Sequence, residues 1–131
     1  MPDTLLAFDF GAKRTGVAVG NTLTKTAQAL LTIHEEASQA RLFMIATLVK
    51  EWQPSCLVVG RPLHPDGTAH AMTARAEKFA RRLKAQFHLP LKLVDERYSS
   101  AVVADSQDLD ASAAQIILQQ YLDEHHTPSK H

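Results

Sequence analysis

The sequence predicts an α/β protein built on a five-stranded mixed sheet, a three-strand antiparallel meander plus two parallel strands, with helices on both faces. Two observations carry this. Three apolar runs crowd into residues 4–33, too close together for helical crossovers, which favours antiparallel pairing. After them, helix-like and strand-like segments alternate, which implies right-handed crossovers and parallel pairing. A length of 131 residues, with 45% hydrophobic and 21% charged residues, suits one domain spanning 1–131.

The elements follow in order. Residues 4–10 and 15–20 read as strands joined by a tight "GAKRT" turn. Residues 24–33, "TKTAQALLTI", read as a third strand of modest β-branched content. Residues 38–52 read as a helix. Ser38 is placed to cap it, Leu42, Ile45, Val49 and Trp52 recur at helical spacing, and Pro54 stops it. "CLVVG", residues 56–60, is a short continuous apolar run, as expected of a strand covered on both faces. "RPLHPDGT" reads as a loop.

Residues 69–87 form the clearest helix, with Met72, Ala76, Phe79, Ala80, Leu83 and Phe87 in one stripe. "LKLVD", residues 91–95, is the last strand, and 99–109 read as irregular. Residues 110–122 close the fold as a helix with Ala113, Ala114, Ile117, Leu118 and Tyr121 on one side. The tail, 123–131, is expected to fray.

Bulk properties exclude some functions. No apolar stretch approaches the roughly 18 residues of a membrane span, so no membrane partner is expected. The single cysteine, Cys56, cannot form an internal disulfide and fits a reducing cytoplasm, where it reads as a small core residue. Net charge is zero, but its distribution is uneven. Residues 61–97 carry eight of the 14 cations, Arg61, Arg75, Lys78, Arg81, Arg82, Lys84, Lys92 and Arg97, enough to contact phosphates. Lys78, Arg82 and Lys84 read as a solvated helix face. His64, His70, His125, His126 and His131 lack metal-ligand spacing and read as loop or tail residues.

Acids at the ends of elements carry the chemistry. Asp9 lies inside an apolar strand, where a carboxylate needs a partner. Asp95 and Glu96 end the last strand, and Asp110 opens the last helix on its packed stripe. Ligands in open α/β sheets gather beyond the carboxyl ends of the strands. Carboxylates brought together there repel, and a hard divalent cation, Mg²⁺ or Mn²⁺, relieves the cost. Bland roles remain open at this point: Asp110 or Asp108 as a helix cap, and Asp95 and Glu96 as a solvated strand exit.

The stretches "LLAFDFGAKRTGVAVGN", "KEWQP", "VVGRPLHPDGTAHAMTARAEKFARRL", "VDERYSS" and "LDASAAQIILQQYL" together resemble the YqgF/RuvX family, whose members are described as pre-16S ribosomal RNA nucleases similar to Holliday-junction resolvases. The resemblance covers about residues 4–122. It implies a ribonuclease H-like fold and metal-dependent phosphodiester hydrolysis by three acids, here Asp9, Glu96 and Asp110, with Asp95 in reserve. It also implies Lys13, Arg75 and Arg97 as basic positions that hold phosphate or orient carboxylates, beside Arg61 of the basic segment. The implied partners are structured RNA, above all precursor ribosomal RNA at its 5′ end, ribosomal particles, or branched DNA. In the family the stretch before the third acid is longer and ends in lysines; here 97–109 is short and acidic, and Asp105, Asp108 and Asp110 compete for the third role. A non-catalytic RNA-associated factor of the same fold is the alternative that this departure motivates.

Overall fold

The structure, a computed structural model, describes residues 3–11, 13–64, 66–69, 71–97 and 110–125, with the main chain alone at Arg97, Asp110 and His125. Its strands are β1 (Thr4–Phe10), β2 (Thr15–Asn21), β3 (Thr26–Ile33), β4 (Cys56–Leu63) and β5 (Leu91–Arg97). The helices are α1 (Ser38–Trp52), α2 (Thr73–Phe87) and α3 (Asp110–His125). The sheet order is β3-β2-β1-β4-β5. β1–β2 and β2–β3 pair antiparallel, and β4 pairs parallel with both β1 and β5. This is the predicted meander followed by two crossover units.

Alternation along the strands sorts the core into two layers. Leu6, Phe8, Val17, Leu57 and Val59 point to the face covered by α1 and α2, where they meet Ile45, Leu48, Phe79 and Leu83. Leu5, Ala7, Ala18, Val58 and Val94 point to the face covered by α3, against Ala114, Ile117, Leu118, Tyr121 and Leu122. Small residues on the second face let the helix lie close. A Cβ on Gly20 would come within 2.7 Å of Leu118 Cδ2.

α3 also closes the edge of the sheet. Gln119 Oε1 accepts from the Ala27 amide at 3.0 Å, Gln115 Nε2 donates to the Ala27 carbonyl at 3.0 Å, and Gln119 Nε2 donates to the Lys25 carbonyl at 2.8 Å. These bonds satisfy main-chain groups at and just before the start of β3 that would otherwise be open to another strand. Ile117 packs at Gly60 and Tyr121 lies near Cys56, so α3 runs antiparallel to β4. Its first residue, Asp110, therefore stands at the carboxyl end of β1 and β4.

Several boundaries differ from expectation. β4 runs on through Arg61, Pro62 and Leu63, because β5 pairs with it along that length. α2 begins at Thr73 rather than at 69. The chain first folds back through Leu63 and Ala69, with the Asp66 carboxylate accepting from the Thr68 amide at 2.9 Å and its hydroxyl at 2.7 Å. Those bonds hold the Asp66 carboxyl below its ordinary range. Thr73 Oγ1 then donates to the Pro62 carbonyl, tying the start of α2 to the end of β4.

Ala37, not Ser38, caps α1, with no side-chain bond. The buried stripe of α1 is Arg41, Ile45 and Leu48, and Trp52 is partly exposed. Residues 123–125 continue α3 where fraying was expected. The irregular stretch 99–109 and the tail beyond 125 lie outside the described residues. Cys56 is half-buried against the α3 layer, and desolvation raises its thiol pKa, consistent with a core role.

Candidate active site

Asp9 is the last residue of the Leu5–Ala7–Asp9 face of β1, so it points to the α3 side at the carboxyl end of the strand. It is half-buried and stands opposite Gly16 of β2. The turn beyond it is closed by the Gly11 amide donating to the Arg14 carbonyl at 2.8 Å. A Cβ on Gly11 would approach that carbonyl oxygen to 2.7 Å, so the turn itself requires glycine. Lys13 is exposed in this turn, close in sequence to Asp9.

Glu96 shares its face of β5 with Val94, again the α3 side, and is half-buried. β4 lies between β1 and β5, so Asp9 and Glu96 are two strand spacings apart, about 10 Å at the main chain. The Glu96 side chain shortens that gap by lying across Gly60 of β4. A Cβ at Gly60 would meet the Glu96 carboxylate, with Cδ at 2.9 Å, and Ile117 Cδ1 at 2.5 Å. The missing side chain at Gly60 is therefore the cradle that lets the carboxylate lean toward Asp9 beneath α3.

Two half-buried carboxylates on one face, an acid at the first position of the covering helix, and a cradle that a Cβ would fill make a hard-oxygen donor set suited to a divalent cation. The Asp110 side chain is outside those described. Among the described residues, no group of three His, Cys, Asp or Glu side chains converges.

Asp95 is not part of this arrangement. It lies on the opposite face, where Arg61 Nε donates to its carboxylate at 2.7 Å and Arg61 Nη2 lies 2.6 Å from it. Arg61 Nη1 also bonds Glu77 of α2 at 3.0 Å. These two carboxylates raise the Arg61 pKa further. The structure thus places Asp95 away from Asp9 and Glu96, and holds Arg61 against Asp95 and Glu77 on that other face. Adjacent residues of a strand face opposite ways, and an arginine clamped between two acids is committed to linking α2 to the sheet. Arg75 is exposed on α2, also on the α1/α2 side, 6.0 Å from the Phe10 ring centroid. The Arg97 side chain is outside those described.

Two contributors were not singled out beforehand. Gly60 was read only as the end of an apolar run; a glycine closing a buried strand beside an acidic strand end was the available signal. Arg41 is 3% exposed, with Nη1 donating to the Gly11 carbonyl at 2.9 Å and Nε to the Glu35 carbonyl at 2.9 Å. It pins the turn after Asp9 to α1. Its position in an apolar stripe gave no hint of this, because the carbonyls it binds are distant in sequence.

The chain matches, over residues 3–124, the family described as "RuvX: Holliday junction resolvase". It belongs to the RuvX family. Family relatives from Burkholderia mallei (strain SAVP1) and Paraburkholderia xenovorans (strain LB400) are 51% and 49% identical to it. The first alignment covers 94% of this chain and 92% of the relative, the second 92% and 88%; both relatives carry the name "Putative pre-16S rRNA nuclease". Among solved structures, Thermus thermophilus RuvC in complex with a Holliday junction superposes with a TM-score of 0.60 at 12% identity, covering 93% of this chain and 94% of RuvC. The fowlpox virus resolvase bound to junction DNA gives 0.54 at 10% identity, covering 92% and 97%. RuvX and RuvC thus share the ribonuclease H-like fold predicted for this chain.

The cradle at Gly60 makes a direct test of the RuvX site. Gly60→Ala is expected to push the Glu96 carboxylate and Ile117 aside and to lower cleavage by about tenfold to a hundredfold, as for loss of a ligand-orienting contact. Overpacking is expected to cost about 1–3 kcal/mol of stability. Rates at increasing Mn²⁺, set beside urea unfolding, separate the two effects.

Proposed function

We propose that this protein is a metal-dependent endonuclease that hydrolyses phosphodiesters of structured RNA, processing the 5′ end of precursor 16S ribosomal RNA in the cytoplasm, on or beside ribosomal particles. The observation that carries the reading is the pair of half-buried carboxylates, Asp9 and Glu96, gathered on one face at the carboxyl edge by the open cradle at Gly60. Support for the RNA substrate comes from relatives near 50% identity over nearly the whole chain, which carry that activity in their names.

Asp9 and Glu96, with Asp110 from the first turn of α3, would hold Mg²⁺ or Mn²⁺, and the ion supplies Lewis-acid polarisation of a phosphoryl oxygen. The chain's own residues do the rest. β1 and β5 fix the two carboxylates on rigid elements, and Ile117 of α3 packs beside the Glu96 carboxylate at Gly60. Lys13, exposed in the turn after Asp9, answers the negative charge of the bound phosphate. Arg41 and the Gly11 turn keep that lysine in place.

A second reading, cleavage of branched DNA, is favoured by the superposition on RuvC holding a Holliday junction. One assay separates them. Precursor 16S RNA and a four-way DNA junction are incubated with the protein in Mg²⁺, in Mn²⁺ and in chelator. Metal-dependent cut ends on the RNA alone support the first reading, and paired nicks on the junction alone support the second. Binding of RNA with no cleavage of either substrate at any metal concentration refutes both.

A further inference from the structure

The face of the sheet opposite Asp9 holds a second concentration of charge. A pocket of about 290 Å³ is lined by Arg41, Arg75, Lys78 and Arg82, with Phe10 and Phe79 in its wall. Arg75, Lys78 and Arg82 stand at helical spacing along one side of α2; Lys78 and Arg82 are exposed, as expected, and with Arg75 they line the pocket beside α1. Among the described residues none that lines this pocket is acidic. Its floor, Phe10, directly follows Asp9; the Arg41 guanidinium lies 4.8 Å from the ring centroid and that of Arg75 6.0 Å.

Helix α1 brings no acid of its own to the lining of this pocket. The N-terminus of α1 opens at the pocket with no capping side chain and no acid in its first turn, which adds positive potential. Burial, and after it the nearby Arg75, hold the Arg41 pKa below its ordinary value, against the opposing pull of Glu36.

The pocket continues into an open trough of about 940 Å³ between α1 and α2, the two sharing Ser38, Leu42 and Arg82. Phe43, 74% exposed, lines that trough. A charged pocket joined to an exposed aromatic ring is the pairing that binds single strands, with phosphate at the cations and a base on the ring. A trough bounded by two helices suits one strand better than a duplex.

We infer that the α1–α2 trough binds a single-stranded nucleic-acid segment, with a backbone phosphate in the Arg41–Arg75–Lys78–Arg82 pocket and a base against Phe43. This rests on the nuclease reading and extends it: a strand leaving the Asp9 site crosses the carboxyl edge of the sheet at Phe10 and enters the pocket. The contacts position the strand and do not read its sequence.

Binding is measured without cleavage, by fluorescence anisotropy of a short labelled single-stranded RNA with the wild-type chain in chelator. Lys78→Ala/Arg82→Ala is expected to weaken binding on the order of tenfold and to reduce the slope of log K against log salt by up to about 0.7, the share of the one phosphate in the pocket. Phe43→Ala is expected to weaken it about fivefold or more. Arg81→Ala/Lys84→Ala removes the same charge beside β5 instead and is expected to change affinity less than about twofold. Equal losses from the two double variants overturn the proposal, as does tighter binding of a duplex. Displacement by pyrophosphate as effective as by unlabelled RNA reassigns the pocket to a small anion, and displacement by polyglutamate reassigns the trough to an acidic protein; both also overturn it. Selective binding without cleavage in metal refutes the nuclease reading alone.

Discussion

Asp9→Asn is expected to cleave at least about a hundredfold more slowly than wild type, in Mg²⁺ or Mn²⁺, while unfolding at the same temperature or above. Loss of a group that only orients a metal ligand costs about tenfold to a hundredfold, so loss of a ligand itself costs at least the upper figure. The fold is spared for a local reason. Asn matches Asp in shape, and Asp9 is half-buried at a strand end rather than in the apolar layer. Single-turnover cleavage and thermal unfolding of the same preparation check both halves. Undiminished cleavage by Asp9→Asn would falsify the assignment of this edge as the active site.

The largest stability effect is expected at Phe8. Its side chain is fully buried at the centre of β1, between Val17 and Val59 on neighbouring strands, and it meets Phe79 of α2 edge-on at 6.1 Å between ring centroids. Phe8→Ala leaves a cavity where sheet and helix layer meet, and such truncations cost about 3–5 kcal/mol. Domains are stable by about 5–15 kcal/mol, so about a fifth or more of the total is at stake. Urea unfolding should show a lower midpoint at unchanged slope. A loss under about 1 kcal/mol would mean that the α1/α2 layer is not packed as described.

The charge pattern of α2 shows how one helix serves two purposes. Glu77 bonds Arg61 and so fastens α2 to β4, while Arg75, Lys78 and Arg82 turn toward α1. Arg61 completes the fastening by holding Asp95, the neighbour of Glu96 on the other side of β5. A structural ion-pair group thus stands directly behind the candidate metal ligand, and fixes the strand end from which Glu96 projects.

Much of this was legible in the sequence because the signals are local. β1 and α1 have the boundaries that alternation and helical spacing predicted, and the meander followed from the short distances between apolar runs. Asp9 stood out because a carboxylate in an apolar strand demands a reason within that strand. The choice between Asp95 and Glu96 was different in kind. β5 carries Leu91 and Leu93 on one face and Val94 on the other, so its own pattern does not say which face meets which helix. Register against β4 decides that, by pairing Asp95 with Arg61 and Glu96 with Pro62, from where the Glu96 side chain reaches across Gly60. Arg41 is the same lesson from a helix: an arginine in an apolar stripe becomes a buried anchor only because the Gly11 and Glu35 carbonyls come within reach after folding. The chain alone determined the elements, their order and the acid at the end of β1, since backbone preference and periodicity act over a few residues. The tertiary structure decided which side chains share a face and a partner, since those distances are set by strand register and helix packing between segments far apart in the chain.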